Sequence, residues 1–288
     1  MYWFPIALGT AFLAAASDAL TKVYLRPLGT IKMAMGRVAT PVVFLAPLLF
    51  FTKWPHLDNT FWCTLAVLLP LETTALLLYM EALKVSPLSL TVPFLAFTPA
   101  FMILTGTIIL HEHLKASGIA GILLIVIGSY SLNIDQARFG PFAPLIAIFK
   151  EKGSLLMLAV ALIYSITSVL GKVAIQHSDH LFFAAFYFIA HGLFSSLVLG
   201  LLFKVNPLAV IKTCPKGVIY VGFAQSGMVI THMWAISMAP AAYMIAVKRL
   251  SVLFGVLIGC LFFREKGLSS KLFGATLMVT GVFLIVLG

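Results

Sequence analysis

Ala246-Val247-Lys248-Arg249-Leu250-Ser251-Val252-Leu253-Phe254 places two adjacent cations inside an apolar stretch that runs from Pro240 to Phe263. That stretch is long enough to cross a bilayer. At ~1.5 Å rise per residue, the two cations lie roughly 12 to 14 Å in from Pro240, near the middle of a ~30 Å hydrocarbon layer. A charge at a span centre costs on the order of 2.5 to 3.5 kcal/mol, and an ionisable group kept there faces a cavity, a partner charge or a substrate path. Snorkelling covers only part of the distance to either interface. The rest of the chain must therefore enclose Lys248 and Arg249.

Of the 288 residues, 61% are hydrophobic and 10% charged, a balance that no soluble domain of this length needs. The chain reads as a polytopic protein of the plasma membrane, or of the inner membrane if the cell is Gram-negative. The formal net charge of +10 is scattered over short connections between apolar runs, which is how spans are anchored and oriented. No nucleic-acid partner is expected. Cys63, Cys214 and Cys260 are isolated, without C-x-x-C or ligand spacing, so no disulfide framework, metal or cofactor is indicated. Ala14-Ala15-Ala16-Ser17 resembles a cleavage region, but Met1-Tyr2-Trp3-Phe4 offers no basic n-region, and Asp18 and Lys22 follow within the same run. It reads as a retained first span.

Apolar runs of spanning length fall at about 2–24, 31–52, 59–81, 87–110, 115–134, 153–175, 182–204, 216–238, 240–263 and 268–287. The fold expected is an all-α bundle of ten transmembrane helices. A constant offset of 153 sets Pro87 on Pro240, Gly106 on Gly259, Glu112 on Glu265, Gly121 on Gly274 and Gly128 on Gly281, and an offset of 150 sets Lys22 on Lys172. Residues 1–134 and 153–288 are therefore read as two five-helix repeats joined by 135–152. An odd number of spans per unit inverts the second repeat, the arrangement of alternating-access transporters whose substrate sits at the repeat interface. Lys and Arg crowd the connections after spans one, three, five, seven and nine, so the charge bias places both termini outside the cytoplasm.

The other ionisable residues within spans are Asp18, Lys22, Arg37, Glu72, Glu81, Lys172, His191 and His232. Asp18 and Lys22 are four apart and share a helix face, which allows either a plain intrahelical pair or a gate; Lys172 is the counterpart of Lys22. Glu72 follows Pro70, whose ring frees a backbone carbonyl and kinks a helix that lines a cavity. It can serve as counter-ion to Lys248 or Arg249, as a proton acceptor, or as ligand for a substrate amine. Lys248 and Arg249 either staple two spans or bind substrate. Buried ion pairs seldom add stability over apolar packing, which favours binding, with the guanidinium fork suited to carboxylate or phosphate. His232 and Gln225 lie seven apart on one face of span eight and are either a core pair or cavity lining. Tyr243, on the span of the cations, completes the candidate set. Arg37 is expected to reach the headgroups and His191 to pack.

Tyr79-Met80-Glu81-Ala82-Leu83-Lys84-Val85-Ser86-Pro87-Leu88-Ser89, leading to Gly106 and Glu112, and its echo from Ala235 to Glu265 look like an A-(x)4-P … G-(x)5-E pattern. In this the chain resembles the drug/metabolite transporter superfamily, in its EamA-type ten-span branch, over essentially its whole length. The resemblance implies two inverted five-helix repeats around a central cavity, with Glu112 and Glu265 as signature residues rather than substrate ligands. Val247-Lys248-Arg249 also looks like the ninth-span Lys-Arg pair with which the triose-phosphate translocator branch holds phosphate. Ten-span bacterial relatives often keep their termini in the cytoplasm, opposite to the charge bias, and the expectation here follows the charges.

The leading reading is a secondary transporter, not an enzyme, moving a small organic metabolite with an anionic group. No Walker motif is present, so protons or a counter-solute must supply the drive. A substrate that is an amino acid or a cationic or zwitterionic amine, held by Glu72 and aromatic faces, is the alternative within transport. An intramembrane enzyme acting on a lipid-linked phosphate is the alternative class. Membrane lipid is an expected partner, and the unit is a monomer or a homodimer.

Overall fold

A computed structural model describes residues 2–25, 28–86, 92–134, 152–263 and 268–288. Among them every regular element is helical: α1 (Trp3–Tyr24), α2 (Thr30–Leu45), α3 (Leu48–Phe51), α4 (Asn59–Val85), a 3-10 turn (Val92–Phe97), α5 (Thr98–Leu110), α6 (Ala116–Ile134), α7 (Lys152–Gln176), α8 (His180–Phe203), α9 (Pro207–Thr213), α10 (Pro215–Met238), α11 (Ala241–Lys248), α12 (Ser251–Phe263) and α13 (Leu268–Leu287). Six described stretches are long and apolar enough to cross a membrane: Trp3–Tyr24, Thr30–Phe51, Asn59–Ala82, Lys152–Gln176, His180–Phe203 and Ala241–Ile258. Phe94–Leu110, Ala116–Ser131 and Leu272–Leu287 are apolar but shorter. Pro87, Arg26 and Glu265, and all of the connection 135–152 except Lys152, lie outside the described residues.

Local chemistry starts and stops these helices. Asp58 caps α4 by accepting the Phe61 N–H at 2.9 Å, and Asp179 caps α8 by accepting from Leu181 and Phe182. Asn206 does the same for α9, with Pro207 in the first helical turn, where its missing N–H costs nothing. At the end of α5, His111 takes the left-handed conformation (φ 55°), and the N–H groups of His111 and Glu112 both fold back onto the Gly106 carbonyl. That reversal sets the Glu112 carboxylate over Gly106, which is the physical content of the G-(x)5-E spacing.

The helices pack in a definite pairing. α1 runs along α10, α4 along α7, α2 along α8, and α6 along α13. The last pair meets at glycines: a Cβ on Gly121 would stand 2.5 Å from the Gly281 carbonyl, and one on Gly128 would stand 2.6 Å from that of Gly274. Such backbone contact is how helices associate where lipid removes the hydrophobic drive between them. Phe61, Phe182 and Phe183 are fully buried between α4 and α8 and form an aromatic cluster with Trp54, Trp62 and Phe186.

Three of the apolar runs are interrupted, the second of them at Ala46-Pro47 between α2 and α3. The stretch from Pro240 bends after Lys248, where Leu250 N–H bonds back only to Val247 O, and α12 starts afresh at Ser251. The fourth run enters as a 3-10 turn and becomes α-helical only at Thr98, with Pro99 in the first turn. Pro99 has no N–H to give to the preceding turn, which accounts for that break.

The cap at Asp58 also makes a pH prediction. The Phe61 N–H, against a smaller cost of desolvation, holds the Asp58 carboxyl below the usual carboxylate range, and the His177 ring 2.7 Å away adds to this. A carboxyl depressed on folding contributes stability that is present above its unfolded pKa and lost as pH falls through its folded one. As pH drops from about 6 toward about 3, the thermal midpoint of wild type should therefore fall further than that of Asp58→Asn, whose side chain still caps but carries no charge. Parallel midpoint curves would remove this role.

Candidate functional site

The break between α11 and α12 puts Lys248 and Arg249 at an interior bend, both half-buried. Neither points to lipid. Lys248 Nζ lies 3.2 Å from Nδ1 of His232 on α10, and Arg249 Nη2 donates to the Thr98 hydroxyl at 2.8 Å. Thr98 passes its own proton to the Leu95 carbonyl and is 1% exposed, so it holds one corner of the guanidinium in place. The Arg249 Nε is buried and has no hydrogen-bond partner among the described residues. A buried N–H of a cation left without an acceptor is expensive, and an anion on that edge of the fork would relieve it.

Glu72, half-buried on α4 beyond Pro70, lies within electrostatic reach of Thr167 on α7 and of Lys248. Tyr164 and Tyr187 lie within electrostatic reach of Glu72, and Tyr79 and Arg37 within reach of Tyr164. The bend thus gathers Lys248, Arg249, His232 and Glu72 from the expected set. It adds Thr98, Thr167 and the tyrosines, which the sequence did not mark: tyrosines on apolar spans look like ordinary core residues until their neighbours are known.

The remaining expected residues stand elsewhere. The i+4 spacing sets Lys22 near Asp18, but the ion pair that Asp18 makes across helices is with Arg37 on α2, 2.6 Å from guanidinium to carboxylate. Arg37 is therefore held by a partner carboxylate on α1. Lys22 is exposed near the end of α1. Gln225 accepts from Ser17 at 2.7 Å, one residue from Asp18, and so belongs with that pair rather than with His232. Tyr243 projects toward the loop after α5: its hydroxyl accepts the Lys115 N–H at 3.1 Å, and its ring fills the space where Gly118 lacks a Cβ. His191 stacks on Tyr187, as a packing residue would.

Lys172 lies at the same end as Tyr243. Its ammonium is 2.5 Å from Glu112 and also donates to the Ala239 carbonyl, while the second Glu112 oxygen accepts the Ala241 N–H at 2.9 Å. The two side chains are 10% and 15% exposed. One carboxylate therefore ties the loop after α5 to α7 and to the start of α11. By contrast Asp18 and Arg37, displaced toward the opposite end, are 57% and 38% exposed.

The sequence profile of the EamA-like transporter family matches residues 1–134 and 151–287, nearly the whole chain in two consecutive blocks. The chain belongs to the EamA-like transporter family. An uncharacterised transporter of Methanothermobacter thermautotrophicus is 26% identical over 185 residues, which are 64% of this chain and 52% of that protein, so the chain spans about half the length of the curated relative it matches. A solved crystal structure superposes over the full chain and 96% of its own length with a TM-score of 0.73 at 19% identity, a likeness of fold. The apolar helices and the family match make the molecule an integral membrane protein of a transporter family, rather than of an enzyme family.

Proposed function

We propose that this EamA-like transporter moves a small organic metabolite with a carboxylate or phosphate group, held at Arg249 and Lys248, by alternating access between two inverted five-helix repeats. The observation that carries the reading is the buried Arg249 Nε without an acceptor among the described residues, at the bend of a broken span and beside a second cation. Discontinuous spans whose half-helices start at the membrane midplane are where transporters seat charged substrates. Here α5 and α12 both start at the site, at Thr98 and Ser251, positions related by the 153-residue offset.

The packing supports the inverted repeat. Gly121 and Gly128 are sequence counterparts of Gly274 and Gly281, yet Gly121 meets Gly281 and Gly128 meets Gly274. Crosswise contact between equivalents is what a two-fold relation produces. The same crossing pairs α1 with α10 and α4 with α7, where α1 corresponds to α7 and α4 to α10. On this reading ten spans cross the bilayer, the Glu112–Lys172 pair is the gate at one end, and the end carrying Lys152, Lys204, Lys212 and Lys216 faces the cytoplasm, leaving the termini outside. Glu72, a carboxylate within electrostatic reach of Tyr164 and Tyr187, supports the competing choice of an amine substrate.

A thermal-stability panel on purified protein separates the two. Pyruvate, benzoate and sulfate are the anionic probes, tyramine and choline the cationic ones. The anions should raise the midpoint of wild type and of Lys115→Gln, and Arg249→Gln should weaken that effect by about 30-fold or more in apparent affinity, as expected for a lost charge-assisted pair. Stabilisation by the cations alone, abolished in Glu72→Gln, would overturn the anionic reading.

A further inference from the structure

Lys248 and His232 are both bases, and their nitrogens are 3.2 Å apart. A hydrogen bond between an amine and an imidazole nitrogen needs one proton donated and one lone pair accepting, so the contact exists only while the pair holds at least one proton fewer than it can carry. Two protonated groups at that distance would repel. The charged groups facing the pair are Arg249 beside it, Glu72 on α4, Asp18 on α1 and Arg37 on α2, with Tyr164 of α7 facing Arg249. Asp18 and Arg37 neutralise each other as an ion pair toward one end, so, counting one proton on the pair, the site holds two positive charges against the Glu72 carboxylate. A bound monoanion would cancel the excess.

We propose that Lys248–His232 is a proton-binding site linked to the anion site, so that anion and proton occupy the transporter together. The inference rests on the anionic reading above. When an anion reaches the free edge of Arg249, Lys248 leaves His232 for the ligand, and the vacated Nδ1 takes a proton from water. No bond other than these hydrogen bonds changes. The loaded interior then carries the same net charge as the empty one, so the same conformational change can return the carrier in either state. Linkage requires reciprocity: if the anion draws in a proton, acid tightens the anion.

The test is calorimetric titration of purified protein with pyruvate, benzoate and sulfate, none of which titrates near neutrality, in two buffers of different ionisation heat. Wild type should take up about one proton per anion bound, with affinity rising up to about tenfold for each unit that pH falls between about 8 and about 6. His232→Asn, which keeps an acceptor for Lys248 but cannot titrate, should bind with no proton uptake and no pH dependence. His232→Gln repeats the measurement if the first variant does not fold. Binding by wild type without proton uptake would overturn the proposal and leave the anionic reading intact. Proton uptake that survives in His232→Asn and vanishes in Glu72→Gln would overturn it in favour of the glutamate. Failure of all three anions to bind wild type at any pH would remove both readings together.

Discussion

Gly128→Val and Gly121→Val are each expected to cost the protein much of its folded yield, and the double variant to lose it. A Cβ at Gly128 would stand 2.6 Å from the Gly274 carbonyl oxygen and 2.7 Å from the Met278 side chain, and one at Gly121 would stand 2.5 Å from the Gly281 carbonyl. Real Cβ atoms do not come so close, and the obstacle is backbone, which cannot rotate away. α6 and α13 must therefore separate along the interface that fastens the last helix of each of the two family-matched blocks. Overpacking of this kind costs about 1–3 kcal/mol per site, and occasionally more. Contact is mutual, so Gly281→Val should match Gly121→Val. Gly9→Ala and Gly255→Ala are the controls, because nothing lies within 4 Å of a Cβ at either position. Thermal midpoints in detergent decide it: if Gly128→Val melts with the controls, α6 and α13 are not in backbone contact.

The glycines also show what the sequence could and could not reveal. The repeat offset finds them by matching Gly121 to Gly274 and Gly128 to Gly281, but contact runs across the match, a relation that only the packing supplies. The cations were legible because Lys248 and Arg249 contradict their surroundings. The bend that presents them was not, because Arg249-Leu250-Ser251 contains neither proline nor glycine. A signal was available in the other half, where Thr98-Pro99 falls on Ser251-Val252 at the same offset and proline marks the break. Asp18 is legible as a charge within a span. Its own helix offers Lys22 at i+4, whereas Arg37 comes from a neighbouring helix that periodicity does not locate. Tyr164, Tyr187 and Thr167 gave no signal, since their chemistry depends on Glu72 lying across from them.

Glu112→Gln is expected to open the end of the bundle that Glu112 and Lys172 close. Both side chains are nearly buried, and the glutamate holds the Lys172 ammonium and the Ala241 N–H at once. Removing one member of a buried ion pair leaves the other charge uncompensated, a loss of about 3–5 kcal/mol. Under the alternating-access proposal this end opens during transport, so such a loss first destabilises the closed arrangement relative to the open one, and each ~1.4 kcal/mol shifts that ratio tenfold. The readout is a cysteine at Ala242, which is fully buried just inside the clamp, in a background with Cys63, Cys214 and Cys260 replaced by alanine. Its labelling by an impermeant thiol reagent should be slow with Glu112 present and at least about tenfold faster in the Glu112→Gln variant, and labelling of intact cells would place this end outside as the charge bias implies. The charge swap Glu112→Lys with Lys172→Glu separates a gate from a general loosening of the fold. It restores the ion pair but leaves the Ala241 N–H without its carboxylate, so labelling should slow only part of the way back. Equal labelling of Ala242→Cys with and without Glu112, at a lowered thermal midpoint, would make the pair a structural staple and deny it any part in opening.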